Sequence, residues 1–275
     1  MPSIARKTLR RVVPRSVRAA LLRAAGRTPA RAASPARAAS PTPAATPEPQ
    51  AANAAPGRLG PNEPGGITRL HVGCGPENLM ADWWNVDIRG FKGVDEVVDV
   101  TAAWPWTSLD YVYGEHFLEH LPLDGAVAFL GQALARLRPG GRIRLSTPGL
   151  EWVWQTHLRP GGSVAQVVAD TYRANRAFHG WGHEFLYSRP FLERLLGRQG
   201  FVDITFHAYG ESDDPALRGL ERHGTYQVVD GWPNVWNVEA ARPAGDASAT
   251  DLPKPPPELL EEIEREFVRY VKSGH

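Results

Sequence analysis

Apolar side chains along this chain come in short runs, then at spacings of three and four, and the alternation repeats. The runs at 68–72, 84–88, 96–100 and 109–113 are short and apolar enough to predict buried parallel strands. Val127, Leu130, Leu134 and Leu137 then recur at helical spacing behind Asp124, predicting a helix capped by Asp124 and stopped at Pro139-Gly140-Gly141. Residues 142–147 alternate as a strand. Ser188, the stripe Phe191, Leu192, Leu195 and Leu196, and Gly200 predict a second capped helix, with strands to follow at 201–206 and 236–241. Strands alternating with helices imply an α/β protein, with a mostly parallel sheet whose ligands lie beyond the carboxyl ends of its strands.

Outside this core the pattern changes. Residues 28–62 are mostly Ala, Pro, Ser, Thr and Arg, too poor in large apolar side chains to offset ordering entropy, which predicts a disordered linker. Before it, Ile4, Leu9, Val13, Val17 and Leu21 are interleaved with arginines, giving a weakly amphipathic basic arm at 4–23. The arm reads either as a solvated tail or as a contact for an anionic membrane surface or acidic partner, and no specific nucleic-acid signal accompanies it. After a Pro-rich stretch at 242–257, Leu259, Leu260, Ile263, Phe267, Tyr270 and Val271 form one stripe, expected to dock on the core rather than on a second copy. The organisation expected is an arm and linker at 1–64, a catalytic domain at 65–242, and a linker with helix at 243–275.

Composition sharpens this in three ways. The net charge of +1 conceals eleven Lys or Arg against the single acid Glu48 among the first 60 residues, so the remainder is net acidic. One cysteine, Cys74, excludes an internal disulfide and points to a reducing compartment. The sequence has no apolar run of membrane-spanning length, so a cytoplasmic protein is expected, with the arm able to place it at the inner membrane surface.

The chemistry concentrates where the first strand ends. Leu70-His71-Val72-Gly73-Cys74-Gly75 runs from a strand into Gly-x-Gly, where missing side chains let the backbone turn sharply and approach a ligand. Asp87 ends the next strand, where a carboxylate can accept both hydroxyl hydrogens of a ribose. The third glycine of the dinucleotide fingerprint is missing and Glu77 stands near, which disfavours a pyrophosphate and hence an NAD-dependent sugar oxidoreductase.

With Trp83-Trp84-Asn85-Val86-Asp87, Asp99-Val100, Gly114-Glu115-His116-Phe117-Leu118-Glu119-His120-Leu121 and Leu137-Arg138-Pro139-Gly140-Gly141, residues 68–147 resemble the class I S-adenosylmethionine-dependent methyltransferases. More narrowly they resemble methyltransferase-domain proteins of bacterial surface-polysaccharide gene clusters, and the likeness continues more loosely through 181–201 and on to 241. The resemblance implies a Rossmann-like doubly wound fold and S-adenosyl-L-methionine as cofactor. It implies that Gly73, Cys74 and Gly75 lie against the cofactor's amino-acid part and that Asp87 holds its ribose. It further implies that Asp99 and Val100 contact adenine, and that Glu115 with His116 borders the methyl-donor end. One departure stands out: eleven residues separate Gly75 from Asp87, too few for a full helix and a turn.

Two histidine-rich segments are the candidates for the acceptor side. His116 and His120 read either as acid/base groups or as hydrogen-bonding residues that shape a loop. The run His116 to His120 also fits the H-x-x-E-H pattern of a group of zinc peptidases, but Pro122 leaves no room for the long helix that pattern needs, so no metal is expected. Residues 178–187, flanked by glycines, read as a lid, with His183 catalytic and Trp181, Glu184 and Tyr187 facing a small-molecule or glycan acceptor. Glu211, Asp213, Asp214, Glu221 and His223 read as a solvated loop, or as partners for sugar hydroxyls. The reading is methyl transfer to an oxygen or nitrogen, against two rivals: a non-catalytic scaffold of the same fold, and the sugar oxidoreductase.

Overall fold

The computed structural model describes residues 58–157, 159, 161–223, 226–245 and 257–268, so the basic arm and most of the expected linker lie outside the described residues. The described residues all belong to one compact unit. Strands β1 (Arg69–Val72), β2 (Trp84–Asp87), β3 (Glu96–Val97) and β4 (Leu109–Glu115) lead to helix α1 (Leu123–Arg136) and strand β5 (Leu137–Pro148). Helices α2 (Leu150–His157), α3 (Val164–His179) and α4 (Arg189–Gln199) follow, then β6 (Val202–His207), the small ribbon β7 (Val228–Val229) and β8 (Trp232–Pro233), β9 (Val235–Ala241), and α5 (Pro257–Ile263).

The seven-stranded sheet has the order β3-β2-β1-β4-β5-β9-β6. All pairs from β3 to β5 are parallel, and β9 enters antiparallel between β5 and β6. Leu70, Val72, Val86 and Val112 are fully buried at the sheet's centre, against Ala126, Phe129, Leu130 and Leu134 of α1. The apolar runs were continuous because both faces of this parallel sheet are covered. Among the described residues no helix is long and apolar enough to cross a membrane.

Several boundaries differ from expectation. Pro122, not Asp124, occupies the N-cap position of α1, and Asp124 lies in the first turn, where its charge opposes the helix dipole. Leu137 leaves the helix at once and pairs with Leu109, so the Pro-Gly-Gly segment belongs to an irregular, exposed part of β5. The predicted strand 96–100 contracts to Glu96–Val97. α4 is as predicted: the Ser188 side chain accepts from the backbone of Phe191, and Gly200 ends the helix at φ 104. Helices α2 and α3 were not predicted. On α3, Val164, Val167, Val168 and Tyr172 are exposed, so apolar spacing carried no burial signal there. What marks its start is the reciprocal bonding of Ser163 and Gln166.

The folded unit also begins earlier than residue 65. Arg58 pairs with Asp95 at 2.9 Å, and Asn62 donates to the Pro105 carbonyl at 2.8 Å while accepting from the Thr107 amide at 3.1 Å. At the other end, Leu259 and Ile263 are buried in the main core, and Glu262 receives Arg194 and Arg198 of α4 at 2.9 and 3.1 Å. The terminal helix therefore docks on its own core.

Candidate functional site

Beyond β1 the chain turns through Gly73 and Gly75, both with positive φ. A Cβ on Gly73 would stand 2.4 Å from the Phe117 ring, so conformation and packing both require glycine there. The Gly75 amide donates to Asp87 Oδ2 at 3.1 Å, joining the turn to the end of β2. Asp87 Oδ1 accepts from the backbone and the guanidinium of Arg89, at 2.9 and 3.2 Å. No helix follows Gly75. Asn85 does that structural work: its side chain accepts from the Met80 amide and donates to the carbonyls of Met80 and Trp83, each at 2.9 Å. His71 on β1 leans on Asn85 Oδ1 at 3.2 Å and is pushed down to about 4, chiefly by burial.

The turn opens on a cavity of about 400 Å³ lined by Gly73, Asp87, Asp99, Val100 and Phe117, among others. A second cavity of about 430 Å³ is lined by Glu119, Trp152, His157, His183 and His223. The two share His116, His120 and Trp181. This shared wall is built under strain: His116 has φ 46 and Trp181 φ 60, left-handed conformations that cost a side-chain-bearing residue roughly 1–3 kcal/mol each.

Behind the wall, His116 Nδ1 donates to Glu119 Oε1 at 3.0 Å, and Thr147 Oγ1 donates to Glu119 Oε2 at 3.1 Å. Glu119 is fully buried. In the neutral ring the carboxylate thereby fixes the tautomer, with the proton on Nδ1 and the lone pair on Nε2. That Nε2 is itself buried with no hydrogen-bond partner among the described residues. The His223 ring lies 4.1 Å away, its pKa lowered first by burial and then by the neighbouring His116. A buried imidazole nitrogen with an oriented proton on its other side is the geometry of a proton acceptor.

Of the residues singled out from sequence, Gly73, Asp87, Asp99, Val100, His116, His120, His183, Trp181 and His223 thus line one or both cavities. The others lie elsewhere. Cys74 is buried outside both linings, its backbone amide on the Val86 carbonyl and its thiol pushed up to about 12 by burial. Glu115 lies in neither cavity lining; its carboxylate accepts from the backbone amides of Arg222 and His223 at 2.9 and 2.8 Å. Tyr187 is a core residue among Phe185 and Phe191. Glu184 is exposed and tied through its backbone amide to the Glu119 carbonyl at 2.7 Å. In the acidic loop, Glu221 is buried against Arg144 at 2.6 Å and Asp214 accepts from the Tyr111 hydroxyl at 3.0 Å, so neither carboxylate is a free sugar partner. His157, Arg89 and Thr147 were missed, since nothing in their spacing marks them; only proximity to Asp87 in sequence could have drawn attention to Arg89.

The donor set at Asp87 can be tested against a ribose. A carboxylate offers about four lone-pair positions, and the three contacts of Gly75 and Arg89 occupy three of them. The Arg89 side chain is largely exposed and easily withdrawn. Its departure leaves one free position on each oxygen, the match for a vicinal diol.

No protein-family model matches the chain, and a search of curated proteins finds no match. Among solved structures, the S-adenosylmethionine-dependent methyltransferase SibL is 18% identical, with 53% of this chain and 34% of that one covered at a TM-score of 0.33. Human N-acetylserotonin methyltransferase is 15% identical, over 53% and 32%, with a TM-score of 0.33. A SAM-dependent methyltransferase from Archaeoglobus fulgidus is 17% identical, over 62% and 84%, with a TM-score of 0.38. The chain spans only 32 to 43% of the length of the first three structures it matches. Overlaps this partial decide nothing about chemistry. It is the strand order, with one antiparallel strand inside an otherwise parallel sheet and helices on its faces, that gives the chain the Rossmann-like fold of the class I methyltransferases.

Proposed function

We propose that the chain transfers a methyl group from S-adenosyl-L-methionine to an oxygen or nitrogen of an acceptor. The observation that carries this reading is the pair of cavities meeting at His116, His120 and Trp181: one holds a glycine turn and a carboxylate suited to a ribose, the other is rich in proton-accepting groups. Gly73, Asp87, Asp99 and Val100 hold the cofactor. When bound, it supplies a methyl group on a sulfonium; the acceptor's lone pair forms the new bond to carbon, and the C–S pair stays on sulfur. His116 Nε2 takes the proton that an acceptor hydroxyl or amine loses, while Glu119 steadies the resulting imidazolium. Trp181 covers the junction and keeps water from it. A sugar hydroxyl as acceptor follows from the sequence resemblance alone.

Calorimetric titration with S-adenosylhomocysteine tests the pocket. The parent chain binds it in the micromolar range, and Asp87→Ala weakens binding at least tenfold, about 1.4 kcal/mol. A well-folded parent that fails to bind favours the scaffold reading and removes the assignments of Gly73 and Asp87 together.

A further inference from the structure

We propose that Glu119, His120 and His183 bind one divalent transition-metal ion at the wall of the second cavity, with an open coordination position for an acceptor oxygen. The acceptor clause rests on the methyl-transfer reading above; the ion site does not.

A donor atom from each of the three residues lies within 4.8 Å of the other two. The fold sets this proximity through the backbone: the Glu119 carbonyl accepts from the amides of Glu184 and Phe185, at 2.7 and 3.2 Å, stapling the lid to the turn that carries Glu119 and His120. Both imidazoles are oriented as metal ligands are. His183 Nδ1 donates to the Ala177 carbonyl at 2.7 Å and His120 Nδ1 to the Gly182 carbonyl at 3.3 Å, which leaves each Nε2 with a free lone pair.

Glu119 supplies the charge. It is fully buried, and its partners are one histidine and one hydroxyl, so a lone-pair position remains on each oxygen. A buried carboxylate without a permanent cation is costly, and a metal ion at its free positions offsets that cost. Two imidazoles and one carboxylate suit zinc, cobalt or nickel better than magnesium or calcium. Ligands at 2.0–2.1 Å in a tetrahedron lie about 3.4 Å apart, so the site closes by rotating the more accessible rings of His120 and His183. Three protein ligands leave at least one position open, and all three residues line the second cavity, where an acceptor enters. The peptidase-like spacing of His116 to His120 pointed to a different pair: His116 stays as the hydrogen-bond partner of Glu119 Oε1, and the second imidazole comes from the lid.

The test is titration of the metal-free, untagged full chain with Co²⁺, read by calorimetry and by visible absorption. One Co²⁺ per chain is expected, with His120→Ala and His183→Ala each weakening it at least tenfold. His207→Ala, on β6 outside the cavity lining, retains it. S-adenosylhomocysteine binding, followed in parallel, stays within twofold in His183→Ala and His207→Ala and shows that each is folded; because His120 also lines the first cavity, the fold of His120→Ala is checked by its thermal melt. Co²⁺ binding unchanged in both histidine variants, or absent from a parent that still binds S-adenosylhomocysteine, overturns the site and leaves the methyl-transfer reading standing. A parent that binds Co²⁺ at these residues but not S-adenosylhomocysteine supports the site and removes the acceptor clause.

Discussion

Arg89 illustrates how one exposed side chain can compete for a functional carboxylate. Its guanidinium sits 3.2 Å from Asp87 Oδ1 yet is mostly solvated, so the contact is worth 0 to about 1 kcal/mol. If the cofactor's ribose must displace it, Arg89→Ala tightens S-adenosylhomocysteine binding by up to about fivefold, the equivalent of that energy. Weakening by tenfold would instead make Arg89 a cofactor ligand. The placement of Asp87 at the end of β2, beside the glycine turn, was legible in the sequence, because the apolar run ends on it. Glu115 and Tyr187 meet neither cavity, because adjacent positions on a strand or loop face opposite ways and pattern alone does not say which one does.

At the scale of elements, the region behind the site is held by a buried ion triad. Arg144 of β5 is fully buried between Glu221 of the acidic loop and Glu239 of β9. Arg142 and His207 also approach Glu239, at 3.5 Å each, whereas among the described residues Glu221 has only the Gly210 amide besides Arg144. Arg144→Met therefore strands Glu221 more than Glu239, and unfolding stability falls by roughly 3–5 kcal/mol. Urea denaturation checks this through a lowered midpoint at unchanged slope; a shift under about 1 kcal/mol would mean that water reaches the triad. Because Arg222 and His223 follow directly on Glu221, the same change loosens the loop that places the His223 ring over His116. This triad was invisible in the sequence, where Glu221 reads as one acid among several in a polar loop. The capped helix α4 was fully visible, since capping chemistry is local, whereas α3 hid behind an apolar face that meets no core.

For the molecule as a whole, His71 couples the fold to pH. It is neutral in the folded chain with a pKa lowered to about 4, against an ordinary value near 6.5. The unfolded chain therefore binds more protons between those values, and stability is lost as pH falls through that window, reaching roughly 3 kcal/mol at its lower end. His157 and His223, also lowered by burial, act with the same sign. Thermal melts from pH 7 to pH 4 should show this slope, flattened in His71→Gln; equal slopes for parent and variant would assign the acid sensitivity to other groups. The parallel core and the glycine turn at its edge were readable from the sequence, while the packing of residues 58–62 against that core was not. Its anchors are single polar contacts within a stretch of proline, glycine and asparagine.

The position of β9 has a consequence for biosynthesis. It is the last strand among the described residues, yet it lies between β5 and β6 rather than at the sheet's edge. While the ribosome is still making residues 235–241, β5 has one side unpaired and β6 has no neighbour at all. A chain stalled there presents two open strand edges to its surroundings. The finished sheet closes both of those edges with a single strand, so the last step of sheet assembly is also the one that removes its most exposed backbone.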